Sequence, residues 1–564
     1  MKVVIVGGVA GGATAAARIR RLDENAEVVV FERTGYISYA NCGLPYYIGG
    51  VIEDKEALTL QTPESFWSRF RIDMRVRHEV ESIHPERKTV TVRNLESGEV
   101  FEEHYDKLLL SPGARPSTPG LPEGGMERIF SLRTVEDTLR IREFVEREKP
   151  RSCVLAGGGY IGLELAENLC DLGVEVTIVQ RPRQLLKQLD YEMAAFVHSE
   201  MRRKGVVLRL GTAVDSFEHQ GKQIRISLKG EEPLLADMVV MAIGVAPDTR
   251  LAKEAGLELG IKGSIVVNDR METSVPDIYA VGDAVQVRHY ITGENAVISL
   301  AGPANKQGRI AADNICGGSS VYQGSQGSSV IKVFDLTVAN TGISEKQAAD
   351  AGISCSKVYL SPASHAGYYP GGRLMTVKVL YQPETEKLLG AQIVGYDGVD
   401  KRIDVLATAM HCHMKSSDLK DLDLAYAPPY SSAKDPVNMA GFMIENLREG
   451  LVQQFFFDEA DKLPRDGSVI LLDTRTPGEY NEHHMEGFIN IPLDELRERL
   501  EELDPAKPVY VACQSGLRSY VACRILAQHG FRSWNLAGGY RVYDAVMTDR
   551  ICARRAMPCG MELN

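Results

Sequence analysis

Two of the ten cysteines stand in loops where a sulfur atom could react. Cys42 lies inside S-Y-A-N-C-G-L-P-Y-Y, residues 38–47, and no second cysteine follows it before Cys153. A sulfur in that position has to take its oxidising partner from outside the polypeptide, either an external thiol or an oxygen atom. The reactive form is the thiolate, and nearby helix-end N–H groups are expected to depress its pKa enough to keep it ionised at neutral pH. Cys513 closes the apolar run P-V-Y-V-A-C, and Q-S-G-L-R then leads into a helix expected to begin near Arg518. The other cysteines make no C-x-x-C pair and no cysteine/histidine spacing typical of zinc. Neither a disulfide framework nor a metal site is predicted, and most of these thiols are read as buried and inert.

Redox chemistry at a cysteine needs an electron source, and two stretches have the form of dinucleotide sites. K-V-V-I-V (2–6) reads as a buried strand, G-G-V-A-G-G (7–12) as a glycine turn, and A-T-A-A-A-R-I-R-R-L as a helix. That order sets backbone N–H groups and the positive helix end against a pyrophosphate. Gly7 and Gly12 hold the outer positions of G-x-G-x-x-G, while Val9 takes the middle one. The next strand brings Glu32 about 20 residues past the last glycine, where a carboxylate can bind ribose hydroxyls. The pattern returns in S-C-V-L-A-G-G-G-Y-I-G-L-E, where Gly157, Gly159 and Gly162 satisfy the full spacing before a helix expected near Ile161. Its second strand ends in Gln180, followed by Arg181 and Arg183, where an NADH site usually carries an acid. Without that carboxylate a 2′-phosphate meets no repulsion and a guanidinium can pair with it, so NADPH is favoured and NADH remains admitted.

A third segment, T-S-V-P-D-I-Y-A-V-G-D-A (273–284), is an apolar strand ending in Gly282 and Asp283. With both glycine motifs and the Cys42 loop in the same order, residues 1 to about 450 resemble the pyridine nucleotide-disulfide oxidoreductases. The resemblance implies FAD at the first site, NADPH or NADH at the second, and Asp283 bonded to a ribityl hydroxyl. It also implies flavin contacts at Gly8, Ala10, Gly11, Arg33, Gly113 and Ala301, and a nicotinamide-cofactor contact at Tyr160. Most of that family keep two cysteines a few residues apart. The single-cysteine branch divides into coenzyme A disulfide reductases and NADH oxidases or peroxidases, and S-x-x-N-C-x-x-P-Y-Y looks like the former.

By resemblance to coenzyme A disulfide reductases, Thr14, Arg18, Arg21, Ser38, Asn41 and Lys434 fall at ligand-contacting positions. Arg18, Arg20 and Arg21 supply cations for coenzyme A phosphates, with Arg18 and Arg21 on one helical face. Phe70 stands where the family has a basic residue, flanked by Arg69 and Arg71. S-H-A-G-Y-Y-P-G (364–371) and L-A-Y-A-P-P-Y-S-S-A-K-D (424–435) look like parts of the family's dimerisation domain. In such homodimers Tyr368 and Tyr426 would reach the other copy's active site and protonate a departing thiolate or orient substrate.

After residue 450 the pattern changes to R-D-G-S-V-I-L-L-D-T-R-T-P-G-E-Y (465–480), then the Cys513 loop and L-A-G-G-Y. This resembles a single rhodanese domain. The resemblance implies that C-Q-S-G-L-R turns its N–H groups inward as an anion-binding nest, favouring a thiolate or persulfide, with Arg518 adding positive charge. An inactive rhodanese fold retained for docking is the alternative. The fusion points to coenzyme A disulfide, coenzyme A persulfide or polysulfide as substrate. Two other readings stay open: an NADH oxidase or peroxidase cycling Cys42 through sulfenic acid, and a flavin redox sensor read by a partner.

A chain of 564 residues predicts several domains. The expected fold class is α/β: FAD-binding 1–149 with 266–323, NAD(P)H-binding 150–265, an α+β dimerisation domain 324–450, a rhodanese domain 451–548, and an exposed or loosely packed tail 549–564 carrying Cys552 and Cys559. A net charge of −12 argues against nucleic-acid binding. No apolar run is long enough to span a bilayer, and the apolar start continues straight into a nucleotide motif, so a cytoplasmic protein with no membrane, nucleic-acid or metal partner is expected.

Overall fold

The computed structural model describes residues 1–117 and 126–555. They form two compact units, Met1–Arg183 with Val206–Gly327, and residues 184–205 with residue 328 onward. The fold is of the mixed α/β class, as expected.

The first unit holds two parallel five-stranded sheets. In one, the central strand Lys2–Val6 pairs with Glu27–Glu32 and Lys107–Leu110, and Asp73–Val76 and Ile278–Ala280 are the edges. Its apolar run is continuous because both faces are covered: Val3, Val4 and Ile5 are fully buried. Each such side chain contributes about 1.5–3 kcal/mol by leaving water. Helices Ala10–Leu22 and Ala301–Ile315 cover one face, and they touch through small residues. A Cβ on Gly308 would lie 2.4 Å from the Gly11 carbonyl oxygen. Arg20, in the last turn of Ala10–Leu22, is buried and donates to the carbonyls of Phe70, Asp23, Glu24 and Arg71. It ties that helix end to the carbonyl end of helix Pro63–Phe70, so its charge is not presented to a ligand. The second sheet runs Val207–Leu210, Glu175–Gln180, Ser152–Ala156, Met238–Met241, Ile129–Ser131, again all parallel.

In the second unit, the antiparallel sheet Ser329–Val333, Leu336–Gly342, Leu388–Gly395, Thr376–Tyr381, Ser356–Leu360 packs against helix Val399–His411 and helix Tyr191–Arg203. A parallel sheet follows, in the order Gln453–Phe455, Ser533–Leu536, Val509–Ala512, Ile470–Asp473, Ile489–Asn490. Lys378, fully buried in the antiparallel sheet, donates to Asp190 at 2.7 Å and to Glu192 and Glu345. A lone ammonium there would cost several kcal/mol of lost hydration, and these carboxylates offset it. The three acids bring ligand atoms within 4.8 Å of one another, and the Lys378 ammonium bonds all of them.

The expected loose tail is corrected in part. The last helix, Gly539–Arg555, runs past residue 548 and packs on Tyr191–Arg203. Asp549 is 3 % exposed and accepts from Tyr191 Oη at 2.7 Å and Arg202 Nη1 at 2.6 Å, with His198 Nδ1 at 3.1 Å. Cys552 is buried too, and Cys559 lies outside the described residues. The partners of Asp549 are about 350 positions away in the chain, so no local pattern announces them. Burial disfavours the Asp549 carboxylate, but His198, Tyr191 and Arg202 outweigh it and hold the group well below the usual carboxylate range. With the folded pKa depressed, its contribution is present at neutral pH and is lost as pH falls through that value. Asp549→Ala should cost about 3–5 kcal/mol, the range for stripping one partner from a buried ion pair. Hydrogen exchange along Tyr191–Arg203 during urea unfolding reads this, and unchanged protection would refute it.

Candidate active site

The first glycine turn is built by close contact. Gly7 has φ +97°, and a Cβ there would sit 2.1 Å from the Ser111 carbonyl oxygen; one on Gly12 would sit 1.9 Å from the Gly7 oxygen. Only glycine fits, and the helix Ala10–Leu22 starts with no capping side chain and no acid in its first turn. Its free N–H groups and positive end suit a phosphate. Gly8 N–H donates 2.9 Å to Glu32 Oε2, and the other Glu32 oxygen takes the Thr34 N–H and hydroxyl. In front lies a solvent-open cleft of about 920 Å³ lined by Gly7, Glu32, Arg33, Asn41, Gly113 and Arg133 among others. Arg33 pairs with Asp248 at 3.1 Å, and Asp283 with Arg133 at 2.6 Å. Gly282 N–H donates 2.7 Å to Gln307, whose helix opens at Ala301.

The second turn repeats the design. Gly157 and Gly162 are as tightly packed, each with a Cβ position 2.1 Å from a carbonyl oxygen, while a Cβ on Gly159 would meet open space. Helix Tyr160–Asp171 likewise begins with neither a side-chain cap nor an acid. Gly158 N–H donates 3.1 Å to Gln180 Oε1, so Gln180 stands to this turn as Glu32 does to the first. Arg181 and Arg183 are exposed beside it.

Cys42 lies in the turn Asn41–Gly43 leading into the short helix Leu44–Ile48, reaches solvent, and has no disulfide partner among the described residues. The expected depressed pKa is not found. Although the residue is open at the surface, the protein around the sulfur pushes the thiol up, Glu164 adds to the rise, and Arg133 opposes it. Asp283 adds a smaller effect in the same direction as Glu164.

Glu164 is a residue that motif reading passed over, two places beyond Gly162. Its helix packs on Leu44–Ile48, where Tyr46 Oη approaches Glu164 Oε1 at 3.5 Å. Burial raises its pKa to about 7, with the Tyr46 contact opposing and Glu167 adding. As a carboxyl with a raised folded pKa, it destabilises the fold progressively between its ordinary value and about pH 7. Glu164→Gln removes the charge that lifts the Cys42 thiol. The pH profile of Cys42 alkylation should therefore move to lower pH, by up to about one unit; an unmoved profile would separate the two groups.

The expected coenzyme A contacts divide. Ser38 takes φ +42° and donates its N–H to Gly8 O at 2.9 Å, and Asn41 lines the cleft. Thr14 bonds Asn305 at 3.0 Å and Arg18 is paired with Asp313 at 2.7 Å, while Arg21 is exposed. In the second unit Lys434 is exposed. There Tyr368 and Tyr426, 58 positions apart, meet at 2.6 Å between hydroxyls, both exposed. Fully buried Arg402, which no motif marked, joins their loops by donating to Ser364 O, Tyr430 O, Ser431 Oγ and Asp435.

Cys513 is fully buried at the end of strand Val509–Ala512. Its Sγ accepts from Gly516 N–H at 3.1 Å and lies 3.1 Å from Ser519 Oγ. Gly516 takes φ +94° to turn inward. Arg518 does not add free positive charge: both its Nη atoms donate 2.7 Å to Glu479, whose pKa falls to about 2. Glu479 comes from the quoted T-P-G-E-Y segment, 39 positions away, and only folding sets it against the loop.

Residues 1–308, more than half the chain, match the family described as pyridine nucleotide-disulphide oxidoreductase. The chain belongs to this family. Residues 328–436 match its dimerisation domain, and 456–545 match the rhodanese-like domain. The two uncapped glycine turns, with their open cleft and open Gly159 face, fit the FAD and NAD(P)H that this family binds. A coenzyme A disulfide reductase from Staphylococcus aureus (strain JH9) is 37% identical over 442 residues, 78% of this chain and 99% of that one. A crystal structure of reduced Bacillus anthracis CoADR-RHD shares 47% identity over 97% of this chain and 98% of that one, with TM-score 0.94. A NAD-dependent persulfide reductase from A. fulgidus shares 37% identity over 96% of this chain and all of that one, with TM-score 0.90. Among the described residues no helix is long and apolar enough to cross a membrane.

Proposed function

We propose that this oxidoreductase uses NAD(P)H to reduce coenzyme A disulfide, coenzyme A persulfide or polysulfide at Cys42, and moves sulfane sulfur at Cys513. The observation that carries the reading is a solvent-reaching Cys42 with no disulfide partner among the described residues, inside a disulfide-reductase family. Bound FAD supplies the two-electron link between nicotinamide and sulfur. The Cys42 thiolate attacks one sulfur of the substrate, a coenzyme A thiolate leaves, and Cys42 is held in a mixed disulfide. When two electrons arrive that bond breaks, the second thiol departs, and the Cys42 thiolate is restored. Glu32 and Asp283 would hold flavin hydroxyls, and Gln180 with Arg181 the nicotinamide cofactor. Thr14, Arg18, Arg21, Ser38, Asn41 and Lys434 would contact substrate. Across a homodimer Tyr368 and Tyr426, sharing one hydrogen bond, would deliver a proton to the leaving thiolate. Cytoplasmic reducing conditions suit such a cycle.

Mass spectrometry of the purified protein without reductant tests this. A coenzyme A adduct on the Cys42 peptide is expected, and Cys42 joined to another protein cysteine would overturn the reading.

A further inference from the structure

The polar groups around Cys513 form a closed ring. Gly516 N–H donates to Sγ at 3.1 Å, and the Gly516 carbonyl accepts from Asn535 Nδ2 at 3.2 Å. Ser519 Oγ lies 2.6 Å from Asn535 Oδ1 and 3.1 Å from Sγ. Ser519 and Asn535 are both buried, so water does not compete for these bonds. The bond to Gly516 fixes which end of the Asn535 amide faces Ser519. Charge around the loop is already balanced: Arg518 pairs with Glu479, and Arg475 with Asp473 at 2.8 Å. Cys523, on the same helix as Ser519, and Arg518 both feel a charge on Cys513, and burial pushes the Cys523 thiol up to about 12.

Ser519 therefore has one proton and two acceptors. While Sγ carries a proton or a second sulfur, it makes little demand on a donor, and the hydroxyl satisfies Asn535. When Sγ is a thiolate, a hydrogen bond to it is about twice as strong as one between neutral groups. The hydroxyl then gains by turning to sulfur, at the expense of leaving Asn535 Oδ1 unpaired.

We propose that Ser519 is a catalytic hydrogen-bond-donor switch for the Cys513 sulfur, with Asn535 as its positioning residue: the hydroxyl rests on Asn535 and swings to Sγ when that sulfur leaves as a thiolate. The step rests on the sulfur-transfer reading above. An acceptor thiolate attacks the outer sulfur of the Cys513 persulfide, forming a new S–S bond. The bond between Sγ and the outer sulfur breaks, and its electron pair stays on Sγ. The acceptor thiol is oxidised to a persulfide while Cys513 is reduced, and the outer sulfur carries its own proton away. Ser519 shares its hydrogen with the new thiolate until a proton arrives.

The two residues pull in opposite directions, and the test uses that. In the full-length protein, alkylation of Cys513 by iodoacetamide is followed against pH by quantifying its peptide. Ser519→Ala removes the donor and moves the midpoint up by about half a unit or more; transfer from polysulfide to glutathione at neutral pH falls about tenfold. Asn535→Ala removes the rival acceptor, freeing the hydroxyl for sulfur, and moves the midpoint down. Shifts of one sign for these two variants, or no shift in either, overturn the switch. If Asn535→Ala does not fold, Asn535→Asp replaces it. Its carboxylate holds the hydroxyl harder, so the midpoint must rise, and a fall or no change overturns the proposal. A wild-type protein that moves no sulfur from polysulfide to glutathione would sink the transfer reading instead, and the alkylation profiles judge the switch separately.

Discussion

Cys42→Ser should lower kcat/KM for coenzyme A disulfide by at least about a thousandfold, equivalent to some 4 kcal/mol of transition-state stabilisation. The reasoning is direct. Among the described residues Cys42 has no disulfide partner, so it has no paired thiol to take over the attack. A serine hydroxyl is a far weaker acid and cannot form or store a disulfide. Glycine turns and cleft are untouched, so NAD(P)H should still bleach the flavin spectrum in a single turnover. Steady-state NAD(P)H oxidation with coenzyme A disulfide gives the first number, and stopped-flow absorbance the second. Retention of more than a tenth of the reductase activity would remove Cys42 from the reaction and with it the central reading.

The complementary expectation is that Cys513→Ser abolishes sulfur transfer from thiosulfate or polysulfide, again by at least about a thousandfold, while coenzyme A disulfide is still reduced at Cys42. Cys513 Sγ is the buried focus of the Gly516 N–H and the Ser519 hydroxyl, and those donors stabilise charge only on an atom placed where that sulfur is. An oxygen in its place has a shorter reach and forms no persulfide. Methylene-blue detection of released sulfide and a separate reductase assay measure both halves. Persistence of both activities in this variant would undo the division of labour between the two cysteines.

Both expectations draw on residues readable from the chain, but their surroundings were not. From the sequence Cys42 stands in a loop near helix-end N–H groups, and a lowered thiol pKa is expected from them. Folding reverses that sign because the protein packed around the sulfur disfavours the thiolate, and Glu164, 122 residues away in the chain, adds to the rise. Arg518 was read as free charge, yet Glu479 cancels it. The segment after 548 reads as loose in the sequence because it lies beyond the rhodanese pattern. Its hold comes from Asp549 reaching Tyr191, Arg202 and His198.

Strand, glycine turn and helix in order, a cysteine without a neighbour, and a C-Q-S-G-L-R loop are properties of short windows. Backbone conformation there is dictated by residues a few places apart, so composition and spacing alone determined the two dinucleotide units and the α/β class, and singled out the two candidate sulfurs. Protonation, hydrogen-bond partners and ion pairing depend on whatever the fold brings within a few ångströms. Tertiary structure alone therefore decided that Glu164 sits by Cys42, that Tyr368 meets Tyr426, that Lys378 gathers three carboxylates, and that Ser519 has to choose between Asn535 and sulfur. Electrostatic and polar interactions act across space without regard to chain separation, and burial magnifies each of them by removing the water that would otherwise compete.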